Sequence, residues 1–244
     1  MKLIDIKGLN LKIDGKLLLK NINFSITSGE ILALVGESGS GKTLTTKFIL
    51  EILPERSIIE YEKFEKKCKI GAVFQNAFTS LNPTIRVGHQ LKKIYEGHFG
   101  KNIQWESKIV DLLMKLGIKE PRKILKKYPH ETSGGERQRI VIAGAIIGQP
   151  DLLIADEVTT ALDLKSKKEV IDLFKEVQKV TGVAILFISH DLESVKDFAQ
   201  RVCVMYGGEI VEENSCKKIF ETQVHPYVKR LMYLSNSLWI RGEK

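Results

Sequence analysis

The sequence predicts an α/β fold with a mainly parallel sheet covered by helices on both faces. Three observations predict it. Short apolar blocks at 31–35, 151–156 and 183–189 read as buried strands, and amphipathic stretches separate them. The first block runs into Gly36-Glu37-Ser38-Gly39-Ser40-Gly41-Lys42-Thr43, which fits G-x-x-x-x-G-K-[ST] at every fixed position. A helical pattern follows from Leu44 to Leu53 and stops at Pro54. Strand, glycine-rich loop and helix are the context in which backbone N–H groups wrap phosphates. There Lys42 reaches the β- and γ-phosphates and the Thr43 hydroxyl ligates Mg²⁺.

The 244 residues suffice for one large α/β domain or a core with an inserted subdomain. Apolar residues make up 43% and charged residues 28%, an ordinary globular composition. The net charge of +8 invites a nucleic-acid or anionic-membrane reading. The lysines are scattered in pairs, such as Lys66-Lys67 and Lys126-Lys127, with no long basic run. Solvated faces explain that pattern better, and a membrane-proximal location stays open. Cys68, Cys203 and Cys216 lack metal-ligand spacing and suit a reducing compartment. Asp5 and Lys7 interrupt the N-terminal apolar residues, so no signal peptide is expected. The longest apolar run, 140–147, is too short to span a bilayer. A cytosolic protein that meets a membrane only through a partner is expected.

In chain order, residues 2–13 and 17–27 give two period-2 strands around Asp14-Gly15. Residues 54–68 are polar, lack a period and predict an irregular connection. A strand at 69–74 ends at Gln75. Helices are predicted at 87–98, 105–117 and 121–127, forming an insertion between strands. Thr132-Ser133-Gly134-Gly135 opens another helix, with Ser133 as N-cap and Glu136 completing a capping box. Then come the strand at 151–156, a helix at 164–180 and the strand at 183–189. A helix at 192–198 and strands at 202–206 and up to Glu212 follow. Two short tail helices are expected around 216–222 and 227–237.

Leu152 to Glu157 is an apolar strand ending in two carboxylates, and ligands collect at the carboxyl ends of such strands. Asp156 is placed to hold Mg²⁺ beside Thr43. Glu157 can face the γ-phosphate and activate or orient water. Gln75 ends another strand and can touch metal or water. His190 ends the 183–189 strand and can hydrogen-bond the γ-phosphate. For each, a simple strand terminus is the competing explanation.

Thr132-Ser133-Gly134-Gly135-Glu136 resembles the signature of ATP-binding cassette proteins, usually L-S-G-G-Q. The other cassette elements fall in order: the phosphate loop at 36–43, Gln75, Asp156-Glu157, the loop Thr160 to Asp163, and His190. The resemblance covers nearly the whole chain. It implies a P-loop NTPase (RecA-like) core with an N-terminal antiparallel β subdomain and an inserted α-helical subdomain. Residues 1–75 and 141–222 would form the core and β subdomain, 76–140 the helical insertion, and 223–244 a helical tail. It implies ATP and Mg²⁺, with Glu157, His190 and Gln75 catalytic, and Thr43, Gln75 and Asp156 around the metal. Ser133, Gly134, Gly135 and Glu136 would meet the γ-phosphate of ATP held by a second ATPase subunit, identical or a paralogue. Asp163 would cross that head-to-tail interface. Ile13 stands where cassettes commonly stack an aromatic on adenine. Val158 and Thr132 replace the usual proline and leucine of their motifs.

The run Gln75 to Pro83, Tyr128-Pro129-His130-Glu131 and His225-Pro226-Tyr227 are similar to stretches in cassettes that energise peptide and nickel importers. That branch implies two transmembrane permease subunits, an indirectly coupled substrate-binding protein, and a location on the cytoplasmic face of the cell membrane. The cargo would be peptide, nickel or a metal chelate. The alternative is a non-transport cassette ATPase acting on nucleic acid or ribosomes. The single cassette and the 75–83 run speak against it, so no nucleic acid is expected.

Overall fold

The computed structural model describes residues 1–74, 80–101, 103–160 and 162–233. Among them are two sheets. The larger has six strands: β3 (Ile31–Val35), β6 (Ile70–Phe74), β7 (Leu152–Asp156), β8 (Ala184–Ser189), β9 (Arg201–Tyr206) and β10 (Glu209–Ser215). Their order is β10-β9-β3-β8-β7-β6. All neighbouring pairs are parallel except β9 with β10, which the Gly207-Gly208 turn joins.

The inner strands β3, β7, β8 and β9 are largely apolar because both faces are buried. Ala33, Ala155, Phe187 and Val204 point into a core shared with the helices. The alternate residues Leu32, Leu34, Ile154, Leu186 and Met205 point into a second core shared with the smaller sheet. The helical side comprises α2 (Val87–Phe99), α3 (Trp105–Lys115), α4 (Pro121–Lys126), α5 (Gly134–Ile146) and α6 (Leu164–Thr181). Phe174 of α6 meets Phe187 edge to face at 5.7 Å.

The smaller sheet is antiparallel. β1 (Lys2–Ile13) pairs with β2 (Lys16–Thr27), and Ile4, Ile6, Leu9 and Leu11 are buried. The outer edge of β1 carries β4 (Ser57–Glu60) along 10–13 and β5 (Lys63–Lys66) along 4–7. Residues 54–68, expected as an irregular connection, therefore contain two four-residue strands. They are two collinear pieces of one short edge, each too brief to carry an apolar alternation. The Phe48, Tyr61 and Phe64 rings cluster over α1 (Lys42–Ile49).

Two helix limits also differ from expectation. α1 stops at Ile49 rather than Leu53, because Glu51 takes a left-handed φ of 59°. The Ile52 N–H then donates to the Lys47 carbonyl at 3.0 Å, closing the last turn. The predicted 192–198 helix is a short 3-10 turn at Glu193–Val195. There the Ser194 hydroxyl donates to the Asp191 carbonyl at 2.6 Å, diverting the backbone from a regular helix. The chain ends its described part with α7 (Cys216–Glu221) and helical residues 226–233. No described helix is long and apolar enough to cross a membrane.

Candidate active site

β3, β8 and β7 lie side by side, and their carboxyl ends are level. Val35 pairs with Ser189, and Ile188 pairs with Asp156. Topology thus brings the phosphate loop, His190 and the carboxylate pair to one sheet edge, where the loops leave room for a ligand.

The loop from Gly36 to Gly41 is glycine-rich for identifiable reasons. A Cβ on Gly36 would run into the Met205 carbonyl oxygen. Gly39 and Gly41 take φ of 82° and 111°, which side chains rarely adopt. The Gly36 N–H donates to the Ser189 carbonyl at 3.3 Å, tying the loop to β8. Lys42 is 3% exposed and folds back over the loop, donating to the carbonyls of Gly36 at 2.7 Å and Glu37 at 2.9 Å. Burial lowers its pKa, and the nearby Glu157 and Asp156 oppose that shift. Thr43 beside it is exposed.

Glu157 lies 3.7 Å from the Lys42 ammonium. It takes a left-handed φ of 51°, uncommon for a side-chain-bearing residue and a local strain. Its N–H donates to the Ile188 carbonyl at 3.1 Å, and the Thr160 hydroxyl approaches its carboxylate at 3.5 Å. Asp156 is buried, and its Oδ1 has no hydrogen-bond partner among the described residues. Desolvation, with the charge of Glu157, pushes its carboxyl up to about 6. A buried, unsatisfied carboxylate oxygen beside a second carboxylate is an electrostatic cost that a hard divalent cation would relieve. The Ser40 hydroxyl is likewise buried without a partner among the described residues. The donor set therefore fits Mg²⁺ and a phosphate chain.

His190 is exposed just past β8. Its neighbour Asp191 forms an ion pair with Lys167 of α6 at 3.4 Å. Asp163 caps α6 through the Ser166 N–H at 3.0 Å and is exposed. Ile13 ends β1, packed at the border of the second core. Gln75, the other strand-end residue expected here, lies outside the described residues. It follows Phe74, which pairs with Asp156.

Ser133 to Gly135 stand apart from this cluster in the chain, exposed at the start of α5. The Ser133 hydroxyl accepts from the Glu136 N–H at 3.2 Å, and the Glu136 carboxylate accepts from the Ser133 N–H at 2.8 Å. Those bonds hold the Glu136 carboxyl below the usual range. Thr132, where the motif usually has leucine, is buried and donates to the Pro129 carbonyl at 2.6 Å.

A family model described as ABC transporter matches residues 19–160, from early in β2 through the carboxylate pair. The chain belongs to the ABC transporter family. It is 40% identical to the oligopeptide transport ATP-binding protein OppD of Bacillus subtilis strain 168, over 93% of this chain and 68% of that protein. It is 38% identical to the OppD protein of Lactococcus lactis subsp. cremoris, over 87% of this chain and 68% of that protein. The dipeptide transport protein DppD of Bacillus subtilis is 40% identical over 88% of this chain and 70% of its own. Among solved structures, cbiO1 from Clostridium perfringens, part of the ABC transporter complex cbiONQ, superimposes with a TM-score of 0.76. It is 27% identical and covers 91% of this chain and 92% of its own.

As an ABC ATPase, the chain binds and hydrolyses ATP, and its core is the P-loop NTPase fold. Sequence reasoning missed several contacts around this site: Thr160 on Glu157, Lys167 on Asp191, and Tyr227 on the phosphate loop. Of these, only Tyr227 carried a signal, as part of His225-Pro226-Tyr227.

Proposed function

We propose that this chain is an ATP-hydrolysing subunit of a peptide importer, acting at the cytoplasmic face of the cell membrane. The relatives named for oligopeptide and dipeptide transport favour peptide cargo over nickel or a metal chelate. A short helix from one of two separate permease subunits would dock on the helical subdomain at 76–140. The core at 1–75 and 141–222 would work the cycle. A substrate-binding protein would deliver cargo to the permease.

The observation that carries the catalytic reading is the 3.7 Å approach of Lys42, after the loop that leaves β3, to Glu157, just past β7, with β8 between the two strands. Gly36 to Thr43 hold the phosphates, and Lys42 turns from its carbonyls to the β- and γ-oxygens. Thr43, Asp156 and Gln75 would hold Mg²⁺, which would neutralise charge on the phosphates. Glu157 orients the attacking water and draws its proton. His190 contacts the γ-phosphate, and Ile13 lies toward the adenine. Each site is completed by a second cassette. Ser133, Gly134, Gly135 and Glu136 of one subunit present a helix N-terminus to the γ-phosphate held by the other, and Asp163 crosses between them. The open surface at Gly135, where an added Cβ meets nothing within 4 Å, supports close approach by another molecule.

The test is reconstitution of this chain with its permeases, second cassette and binding protein in vesicles. Hydrolysis should rise when peptide-loaded binding protein is added, and labelled peptide should accumulate. Transport of a nickel chelate but not of peptide would overturn the cargo. Hydrolysis indifferent to any loaded binding protein would overturn the importer reading.

A further inference from the structure

His225-Pro226-Tyr227 lies almost two hundred residues from the phosphate loop in sequence, yet it ends on that loop. The Glu37 N–H donates to the Tyr227 hydroxyl oxygen at 2.9 Å. That N–H and the Gly36 carbonyl belong to one peptide unit, and in a trans unit they point in opposite directions. The Gly36 carbonyl accepts from Lys42 at 2.7 Å. The 36–37 peptide is thus gripped on one side by Lys42 and on the other by Tyr227.

The tyrosine is itself held in place. Its ring packs on Tyr206, the last residue of β9, with centroids 4.2 Å apart. Its N–H donates to His225 Nδ1 at 3.2 Å. The Glu212 carboxylate on β10 accepts from the N–H groups of Val224 at 3.3 Å and His225 at 3.0 Å. Pro226 opens the helical stretch that carries the ring. Tyr227 is 8% exposed, so its hydroxyl is delivered to the loop by a packed, hydrogen-bonded scaffold.

We propose that Tyr227 is a positioning residue for phosphate binding: its hydroxyl fixes the orientation of the Gly36–Glu37 peptide unit. Lys42 spends donors on the Gly36 and Glu37 carbonyls and must redirect them to bind a nucleotide. When it does, the peptide unit loses its inner restraint. The Tyr227 bond is the outer restraint that remains. Without it the unit rotates, the binding-competent loop is only partly populated, and apparent affinity falls by that fraction. The inference concerns nucleotide binding by this chain and does not depend on the cargo.

The test uses the full chain with Tyr227→Phe, which keeps the ring and its packing on Tyr206 and removes only the hydroxyl. Equilibrium titrations with ATP and with ADP should both show affinity about three- to tenfold weaker, the range of one lost hydrogen bond. The nucleotide-free thermal midpoint should fall by only a few degrees, about 2–4 °C, because one hydrogen bond is removed without opening a cavity. In a Glu37→Pro background, which lacks the donor, Tyr227→Phe should cost nothing further. Wild-type affinity for both nucleotides in Tyr227→Phe would overturn the proposal. So would a lowered midpoint with unchanged affinity, or an equal loss of affinity in the Glu37→Pro background.

Discussion

Lys42 and Glu157 face each other across 3.7 Å, although one opens a helix and the other follows a strand. Lys42 is almost fully buried and Glu157 partly so, and the lysine has two loop carbonyls as further partners. The pair therefore has a use for both members before any nucleotide arrives. Lysine charge is retained against burial, and the carboxylate is aimed at the loop. Replacing Glu157 by Gln keeps the shape and removes the base. ATP binding should persist while hydrolysis by the assembled complex falls by about 100-fold or more, the usual scale of general-base loss. Size-exclusion chromatography with ATP and the cognate second cassette should show a stable dimer. Monomer alone would contradict the two-cassette arrangement.

Lys42→Ala should act on the other side of the pair. It removes the donor that gathers the Gly36 and Glu37 carbonyls and the charge that faces the phosphates. Affinity for ATP should fall by at least about tenfold, since hydrogen bonds to charged groups contribute about 1.5–3 kcal/mol. Titration with a fluorescent ATP analogue checks this. Unchanged affinity would mean that the phosphates lie elsewhere.

Asp156 gives a pH-dependent outcome. Its carboxyl is raised from the usual 3.8 to about 6, mainly by burial. The folded chain therefore holds this proton more tightly than the unfolded chain does. The associated stability is fully present below about pH 4 and is lost as pH rises through about 6. The loss is on the order of 3 kcal/mol, at about 1.4 kcal/mol per pKa unit. Asp156→Asn mimics the protonated form at every pH. Without nucleotide it should match the parent near pH 4 and exceed it by roughly 2–3 kcal/mol above pH 7, measured by denaturant unfolding. The same variant should lose the extra stabilisation that Mg²⁺ with ATP gives the parent. A less stable Asp156→Asn chain at pH 7.5 would refute the electrostatic account.

Which parts of this were legible in the sequence follows from burial. The strands at 31–35, 152–156 and 184–189 are apolar except at the terminal Asp156 and Ser189 because their alternate residues enter two different cores, so continuous runs announced them. The edge pieces Ser57–Glu60 and Lys63–Lys66 are four residues each, with one neighbour and a wet face, so neither carries an alternation long enough to read. Strand ends could be placed at one site because a parallel sheet aligns its carboxyl ends. The left-handed backbone of Glu157 has no sequence mark, since glycine is the only usual sign of positive φ. Tyr227 stood out only as part of His225-Pro226-Tyr227, and its contact had no sequence mark because its partner, Glu37, lies 190 residues away.

Gly135 separates folding from assembly. It occupies the second position of α5, and an added side chain would meet nothing within 4 Å. Glycine is a poor helix former, so nothing within this chain favours it there. Gly135→Asp puts a carboxylate in the first turn, where the helix dipole stabilises negative charge by about 0.3–1 kcal/mol. The isolated chain should therefore be as stable as the parent or slightly more so by thermal unfolding. Its own phosphate loop is untouched, so ATP affinity should stay at the parent value. The added charge would instead face the γ-phosphate bound by the partner cassette, and repulsion there should abolish the ATP-dependent dimer trapped by Glu157→Gln. A double variant that still dimerises with ATP would show that this helix start does not meet the partner's nucleotide.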